Sequence, residues 1–200
     1  MRLGIFGGTF SPPHIGHVGA LSAFARSLPL DKILVIPTFV PPHKEYHEEA
    51  TSEERLRMAE IAFSGVTGVE ISDMEIKRGG RSYTYLTLQE LCGEDIKIYF
   101  LCGTDMLLTL DEWKNPDKIF DLATICYVRR EGDESLTPLI AEKIQQYRQR
   151  WNAEIIEIEA SVIEISSTEL RLGIKNEDAE ILKNIPEKVL SYIDERGLYR

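Results

Sequence analysis

Two hundred residues with 23 Lys and Arg against 33 Asp and Glu carry a net charge of −10, with 43% apolar and 28% charged residues. A chain of that length suits one domain (1–200) with an ample core, and the mixture is that of a globular protein rather than a disordered or fibrous one. The acidic balance argues against nucleic acid or a membrane surface as partner, while leaving room for one basic pocket around a small anion.

The first apolar run, residues 3–6, reads as a strand that breaks at Gly7-Gly8. Residues 17–28 then repeat apolar side chains at helical spacing (Val18, Leu21, Phe24, Ala25, Leu28). Residues 33–36 form a compact strand ended by Pro37, and residues 38–50 make a loop rich in Pro, His and charge. Such a long connection in a compact domain is often functional. Thr51-Ser52-Glu53-Glu54 is a capping box that opens a helix over 52–63. A strand over 69–72, a helix over 84–92, a strand over 96–102 and a helix start at Gly103-Thr104-Asp105 follow. Asn115-Pro116 reads as a cap followed by proline in the first helical position, opening 116–122.

Residues 124–128 are a strand, 138–151 an amphipathic helix and 154–158 a late strand. Residues 162–165 look strand-like ahead of a second capping box, Ser166-Ser167-Thr168-Glu169. A closing helix over 186–196 stops at Gly197. Strands alternating with helices argue for the α/β class, a parallel sheet with helices on both faces, with a C-terminal helical part from about 166 packed on it.

Cys92, Cys102 and Cys126 form no CxxC pair, which suits reduced thiols rather than a disulfide framework. The opening apolar run is too short for a signal peptide. No stretch approaches the roughly 20 apolar residues of a membrane helix. A cytoplasmic location is expected, and self-association stays open.

The segment of residues 7–17, GGTFSPPHIGH, joins the first strand to the first helix. In a parallel sheet that junction lies at the carboxyl ends of the strands, where ligands bind. Glycines let the backbone approach a ligand, and a helix N-terminus offers N–H groups and partial positive charge. His14 and His17 project from one side of the first turn, with Gly16 between them leaving room for a phosphate. The pattern reads as a polyphosphate cradle with two imidazole donors. A plain glycine turn and a zinc site are the competing readings. Zinc would need further ligands with their own spacing, and only His43 and His47 remain as histidines. In the second motif, Ser166, Ser167 and Thr168 are placed to donate to phosphate oxygens, and Arg171 adds a charge-assisted contact. Simple helix capping is the alternative there.

GGTFSPPHIGH resembles the HxGH signature of the adenylyltransferases related to class I aminoacyl-tRNA synthetases, in the form found in bacterial nicotinate-mononucleotide adenylyltransferases. Pro41-Pro42-His43-Lys44 resembles that family's PPHK loop, and Arg81-Ser82-Tyr83-Thr84 its SYT segment. Gly103-Thr104-Asp105 with Trp113 resembles its GxD…W segment, and Ile165–Arg171 its ISSTxxR segment. Five pieces in order cover essentially the whole chain. Ser11, Leu86 and Glu131 depart from the family, which usually has Asp, Asp and Pro there.

The resemblance implies a Rossmann-like nucleotidyltransferase fold and adenylyl transfer from ATP, brought with Mg²⁺, to nicotinate mononucleotide. It places Gly8, Thr9, Phe10, His14, Gly16, His17, Gly103, Asp105, Ile165, Ser166, Ser167, Thr168 and Arg171 around ATP. Thr9, Lys44, Tyr83, Thr84, Trp113 and Arg130 fall around the mononucleotide, and His17, His14 and Arg171 carry the reaction. No protein metal cage is expected, since Mg²⁺ binds mainly phosphate and water. Another adenylyltransferase, such as the pantetheine-phosphate type, and a non-catalytic nucleotide sensor are the rival readings.

Overall fold

The computed structural model describes residues 1–42, 49–130, 133–163 and 165–200; at 130, 133, 134, 161 and 162 it describes the backbone alone. Its strands are β1 (Arg2–Gly8), β2 (Lys32–Pro37), β3 (Val69–Ile71), β4 (Lys97–Gly103), β5 (Ala123–Arg130) and β6 (Ile155–Val162). The helices are α1 (Ile15–Ser27), α2 (Ser52–Phe63), α3 (Met74–Arg78), α4 (Thr84–Leu91), α5 (Thr104–Leu107), α6 (Pro116–Leu122), α7 (Thr137–Trp151), α8 (Ser167–Lys175), α9 (Ala179–Leu182) and α10 (Glu187–Arg196).

All neighbouring strands pair in parallel, in the order β3-β2-β1-β4-β5-β6. The chain leaves β1 toward β2 and β3, then crosses back to β4 on the other side of β1. The order therefore reverses between β1 and β4, and the carboxyl ends of these two strands flank the crevice where open α/β sheets bind ligands. Gly7 and Gly8 close β1, and Gly103 closes β4.

Strand residues alternate between the two faces of the sheet. Leu3, Ile5, Ile36, Ile98, Phe100 and Ile125 meet Leu88, Ile119, Phe120, Ile140 and Tyr147 from the helices of one face. Phe6, Val35, Leu101, Cys126 and Val128 meet Ala20, Leu21 and Phe24 of α1 and Ala59 and Phe63 of α2 on the other. Burying each of these larger side chains is worth about 1.5–3 kcal/mol, so both layers are firmly held. A third cluster joins Met58 of α2 to Leu170, Ile174, Val189 and Ile193, which fastens the C-terminal helices beside the crevice.

Most element ends shift by a residue or two from the sequence expectation, and three differences have a local physical reason. The first helix begins at Ile15 rather than 17, because His14 caps it through its side chain. The late strand runs on from Ile155 to Val162 and so takes in the first residue of the strand expected over 162–165, of which residue 164 lies outside the described residues. Asn115 precedes α6 in a left-handed conformation (φ 53°) and makes no side-chain cap, so it acts by its backbone bend alone.

Candidate active site

A cavity of about 950 Å³ opens over the carboxyl ends of β1 and β4. Its wall includes every residue expected around ATP: Gly8, Thr9, Phe10, His14, Gly16, His17, Gly103, Asp105, Ile165, Ser166, Ser167, Thr168 and Arg171. Of those expected around the acceptor, Thr9, Thr84 and Trp113 line it too. Tyr83 is not in the lining; its neighbour Ser82 is. Lys44 and the side chain of Arg130 lie outside the described residues, as do His43, His47 and Glu131.

The histidines form a reciprocal cap. The His17 backbone N–H donates to His14 Nδ1, and the His14 backbone N–H donates to His17 Nδ1, each at 3.3 Å. The ring centroids stand 3.6 Å apart. A nitrogen that accepts an N–H bond carries no proton, so each neutral ring holds its hydrogen on Nε2 and is a donor there. Local helix capping thus sets the tautomer of both imidazoles.

Gly8 and Gly16 line the cavity and also make room for neighbouring side chains. A Cβ on Gly8 would stand 2.8 Å from the Phe10 ring. A Cβ on Gly16 would stand 3.0 Å from His14 Nδ1 and 3.1 Å from the Ile163 carbonyl. Gly8 makes room for buried Phe10, itself held at φ 50°, and Gly16 makes room for the His14 ring.

The loop between β1 and α1 is gripped from several sides. Arg55, fully buried on α2, donates through Nη1 to the Thr9 and Thr38 carbonyls at 3.0 and 2.6 Å and through Nη2 to Phe39 O at 2.9 Å. Ser167 Oγ donates to Pro12 O, and Arg171 Nη1 to Ser11 O, both at 2.9 Å. Ser11 Oγ and Tyr199 Oη pair at 3.0 Å in a buried contact, which gives the serine at this position a specific partner. Ser166 caps α8 in a reciprocal box with Glu169, so the capping and cavity-lining readings hold together.

Arg171 Nε also meets Glu49 Oε2 at 2.8 Å, and Lys175 Nζ meets Glu49 Oε1 at 2.5 Å. The hydrogen bond and charge of Lys175, joined by Arg171, hold the Glu49 carboxyl below its usual range. Glu49 and Lys175 escaped the sequence reading, although Lys175 stands one helical turn beyond Arg171.

At the other end of the cavity, Trp113 meets Phe100 edge-on at 6.4 Å while lining the opening. Core contact and ligand contact are both open to that ring. Ser82 Oγ accepts the Phe39 N–H at 2.9 Å, joining the turn before α4 to the chain after β2. Glu75 is buried beneath this turn and accepts from Thr87 Oγ1. Burial raises its carboxyl above the usual range against the pull of Thr87, Ser82 and Arg78. Nothing in the structure explains Leu86.

In a second, more open groove beside β5, β6 and α7, Arg129 Nε meets Glu157 at 2.7 Å and Tyr127 donates to the same carboxylate. No group of three or more His, Cys, Asp and Glu gathers as a metal cage among the described residues. Among them no helix is long and apolar enough to cross a membrane.

The model of the cytidylyltransferase-like family matches residues 5–173. A probable nicotinate-nucleotide adenylyltransferase of Desulfatibacillum aliphaticivorans is 37% identical, with all of both chains covered. A protein of the same description from Geobacillus kaustophilus is 36% identical over 99% of this chain and 86% of its own. Among solved structures, the Plasmodium falciparum nicotinic acid mononucleotide adenylyltransferase complexed with NaAD superposes with a TM-score of 0.77 at 20% identity. That match covers 99% of this chain and 97% of that one. The structural likeness concerns the Rossmann-like nucleotidyltransferase fold.

Proposed function

The chain belongs to the cytidylyltransferase-like family, and we propose that within it this protein is a nicotinate-nucleotide adenylyltransferase of NAD biosynthesis. The observation that carries the reading is the pair of capped imidazoles at the switch point of the sheet, beside Arg171 in the same cavity. Full-length relatives of that description at 36–37% identity support the choice of acceptor.

The 5′-phosphate of nicotinate mononucleotide attacks the α-phosphorus of ATP in line. One P–O bond forms as the bond to the β-phosphate breaks, giving nicotinate adenine dinucleotide and pyrophosphate. A phosphate monoester with a second pKa of about 6 is already largely dianionic at pH 7, so the attack needs no general base. The lining fits that economy, because it supplies donors and cations around the histidines. The His17 Nε2–H stabilises charge on the α-phosphate, while His14 and Arg171 hold the departing phosphates. Placing the two nucleotides supplies much of the remaining rate.

Mg²⁺ enters as part of the nucleotide substrate, held by phosphate oxygens and water. Gly103, Asp105 and Ile165 surround the adenosine; Thr84 and Trp113 face the pyridine ring, with Lys44, Tyr83 and Arg130 assigned to the same acceptor. We place the reaction in the cytoplasm, which suits the three unpaired thiols.

The test is to supply the purified protein with ATP, Mg²⁺ and one acceptor at a time: nicotinate mononucleotide, nicotinamide mononucleotide or 4′-phosphopantetheine. Pyrophosphate and dinucleotide should appear fastest with the first. Faster turnover of 4′-phosphopantetheine would move the protein to the rival adenylyltransferase class, and ATP binding without turnover of any acceptor would favour a sensor.

A further inference from the structure

We propose that the Glu49 carboxylate holds the place of the nucleotide's pyrophosphate end, and that Lys175 completes with Arg171 the cationic subsite that receives it. The inference rests on the adenylyl-transfer reading and adds to it two residues and an exchange step.

The geometry is that of an anion already seated. One carboxylate oxygen lies 2.8 Å from Arg171 Nε and the other 2.5 Å from Lys175 Nζ. Two oxygens of one phosphate would span the same two cations in the same way. All three side chains line the cavity that holds the paired histidines, on the flank formed by Ser166, Ser167 and Thr168. Arg171 and Lys175 are four apart on α8, so the helix presents both on one face.

Glu49 is suited to being displaced. Its side chain is 29% exposed, and Lys175 is 44% exposed. Ion pairs this open to water are weak, on the order of a factor of five in an equilibrium or less. An incoming polyphosphate brings more charge and more acceptor oxygens than the carboxylate it replaces. Arg171 keeps its aim when Glu49 leaves, because Nη1 remains on Ser11 O at 2.9 Å and Nη2 on Thr168 Oγ1 at 3.2 Å. Glu49 therefore acts chiefly as a competitor for the cations rather than as the strut that positions them. Until nucleotide arrives it neutralises two adjacent positive charges; afterwards it turns to solvent.

The test is calorimetric titration of inorganic pyrophosphate, and separately of ATP with Mg²⁺, into the full-length wild type, Glu49→Gln, Lys175→Gln and the double variant. Removing the competitor should tighten pyrophosphate binding by about two- to fivefold in Glu49→Gln. Lys175→Gln should weaken it by roughly three- to tenfold, and the gain from Glu49→Gln should shrink on that background. KM for ATP should follow the same order. Binding by Glu49→Gln that is unchanged or weaker would overturn the exchange, as would a Lys175→Gln protein that binds like wild type. If wild type binds pyrophosphate yet makes no nicotinate adenine dinucleotide, the acceptor assignment falls while the exchange stands. If it binds neither pyrophosphate nor ATP, both fall.

Discussion

The rings of His14 and His17 stand 3.6 Å apart, each accepting at Nδ1 the backbone N–H of the other residue. The same two rings thus cap the helix through Nδ1 and, in the proposed reaction, face the phosphates through Nε2. Substitution at either position disturbs both, unless the replacement keeps an acceptor. His17→Ala should lower kcat for dinucleotide formation by about 10²–10³, the range for losing one transition-state donor. His14→Asn keeps a capping oxygen and should stay within about 1 kcal/mol of wild-type stability while losing activity. Steady-state kinetics and thermal melts separate the two effects, and a His17→Ala enzyme within about threefold of wild type would remove His17 from the chemistry.

Arg55 is the buried fastener between the loops that follow β1 and β2, reaching Thr9 in one and Thr38 and Phe39 in the other. Arg55→Met keeps much of the volume but strips donors from three carbonyls. A loss of about 3–5 kcal/mol is expected, as for breaking a buried charged cluster. For a chain of this length the melting temperature should fall by roughly 10 °C or more. A fall below about 3 °C would show that the carbonyls find other partners at little cost.

Arg55 also marks where the sequence stops being legible. The capping box ahead of α2 and the apolar spacing of Met58, Ala59 and Phe63 can be read directly. An arginine at position 55 looks like part of the solvated face, because its acceptors come from residues 16, 17 and 46 positions away. Lys175 was more accessible, since its spacing from Arg171 is local; its partner Glu49 lies 126 residues upstream. The parallel sheet shows through its apolar runs. The short helices α3 and α9 do not, because 5 and 4 residues are too few to display a helical period. The strand expected over 154–158 ends before β6 does, since β6 is an edge strand whose exposed Glu157 and Glu159 interrupt its apolar pattern. The Ser11–Tyr199 pair was illegible for the reason that applies to Glu49, a separation of 188 residues.

Glu75 supplies a pH dependence whose sign follows from its burial. Its folded-state pKa is raised, chiefly by desolvation. The native protein therefore binds this proton more tightly than the unfolded chain does. Stability from this group is present below the unfolded carboxyl pKa and is lost as pH rises through the folded one. Glu75→Gln imitates the protonated form and cannot titrate. Its melting temperature relative to wild type should increase from pH 5 to pH 8. A difference that stays flat or narrows over that range would mean that Arg78, 3.6 Å away, already compensates the carboxylate in the fold.

The cysteines should divide by exposure. Cys102 and Cys126 are buried, and desolvation pushes the Cys126 thiol up to about 12 and the Cys102 thiol well above its ordinary value. Cys92 is exposed. Since the thiolate is the reactive form, a thiol-specific chromogenic disulfide at pH 8 should titrate one group rapidly in the native protein and three after denaturation. Rapid modification of a second native thiol would mean that the sheet opens around β4 or β5 more readily than its packing indicates.

Tyr199 ties the end of the chain to the histidine loop. Its side chain is buried, its backbone sits at φ 62°, and its hydroxyl pairs with Ser11 Oγ three residues before His14. A buried neutral hydrogen bond contributes about 0.5–1.5 kcal/mol, and a stranded partner adds its own desolvation cost. Tyr199→Phe and Ser11→Ala should each destabilise by about 1–2 kcal/mol, while the double variant costs little more than either alone. Chemical denaturation of the four proteins gives the coupling energy, and additive losses would mean that the two hydroxyls do not depend on each other. If they are coupled, the tail also bears on catalysis, because Ser11 O is the acceptor that aims Arg171. Tyr199→Phe should then raise KM for ATP, with a smaller effect on KM for the mononucleotide, since the proposed reaction assigns Arg171 to ATP and Trp113 to the mononucleotide.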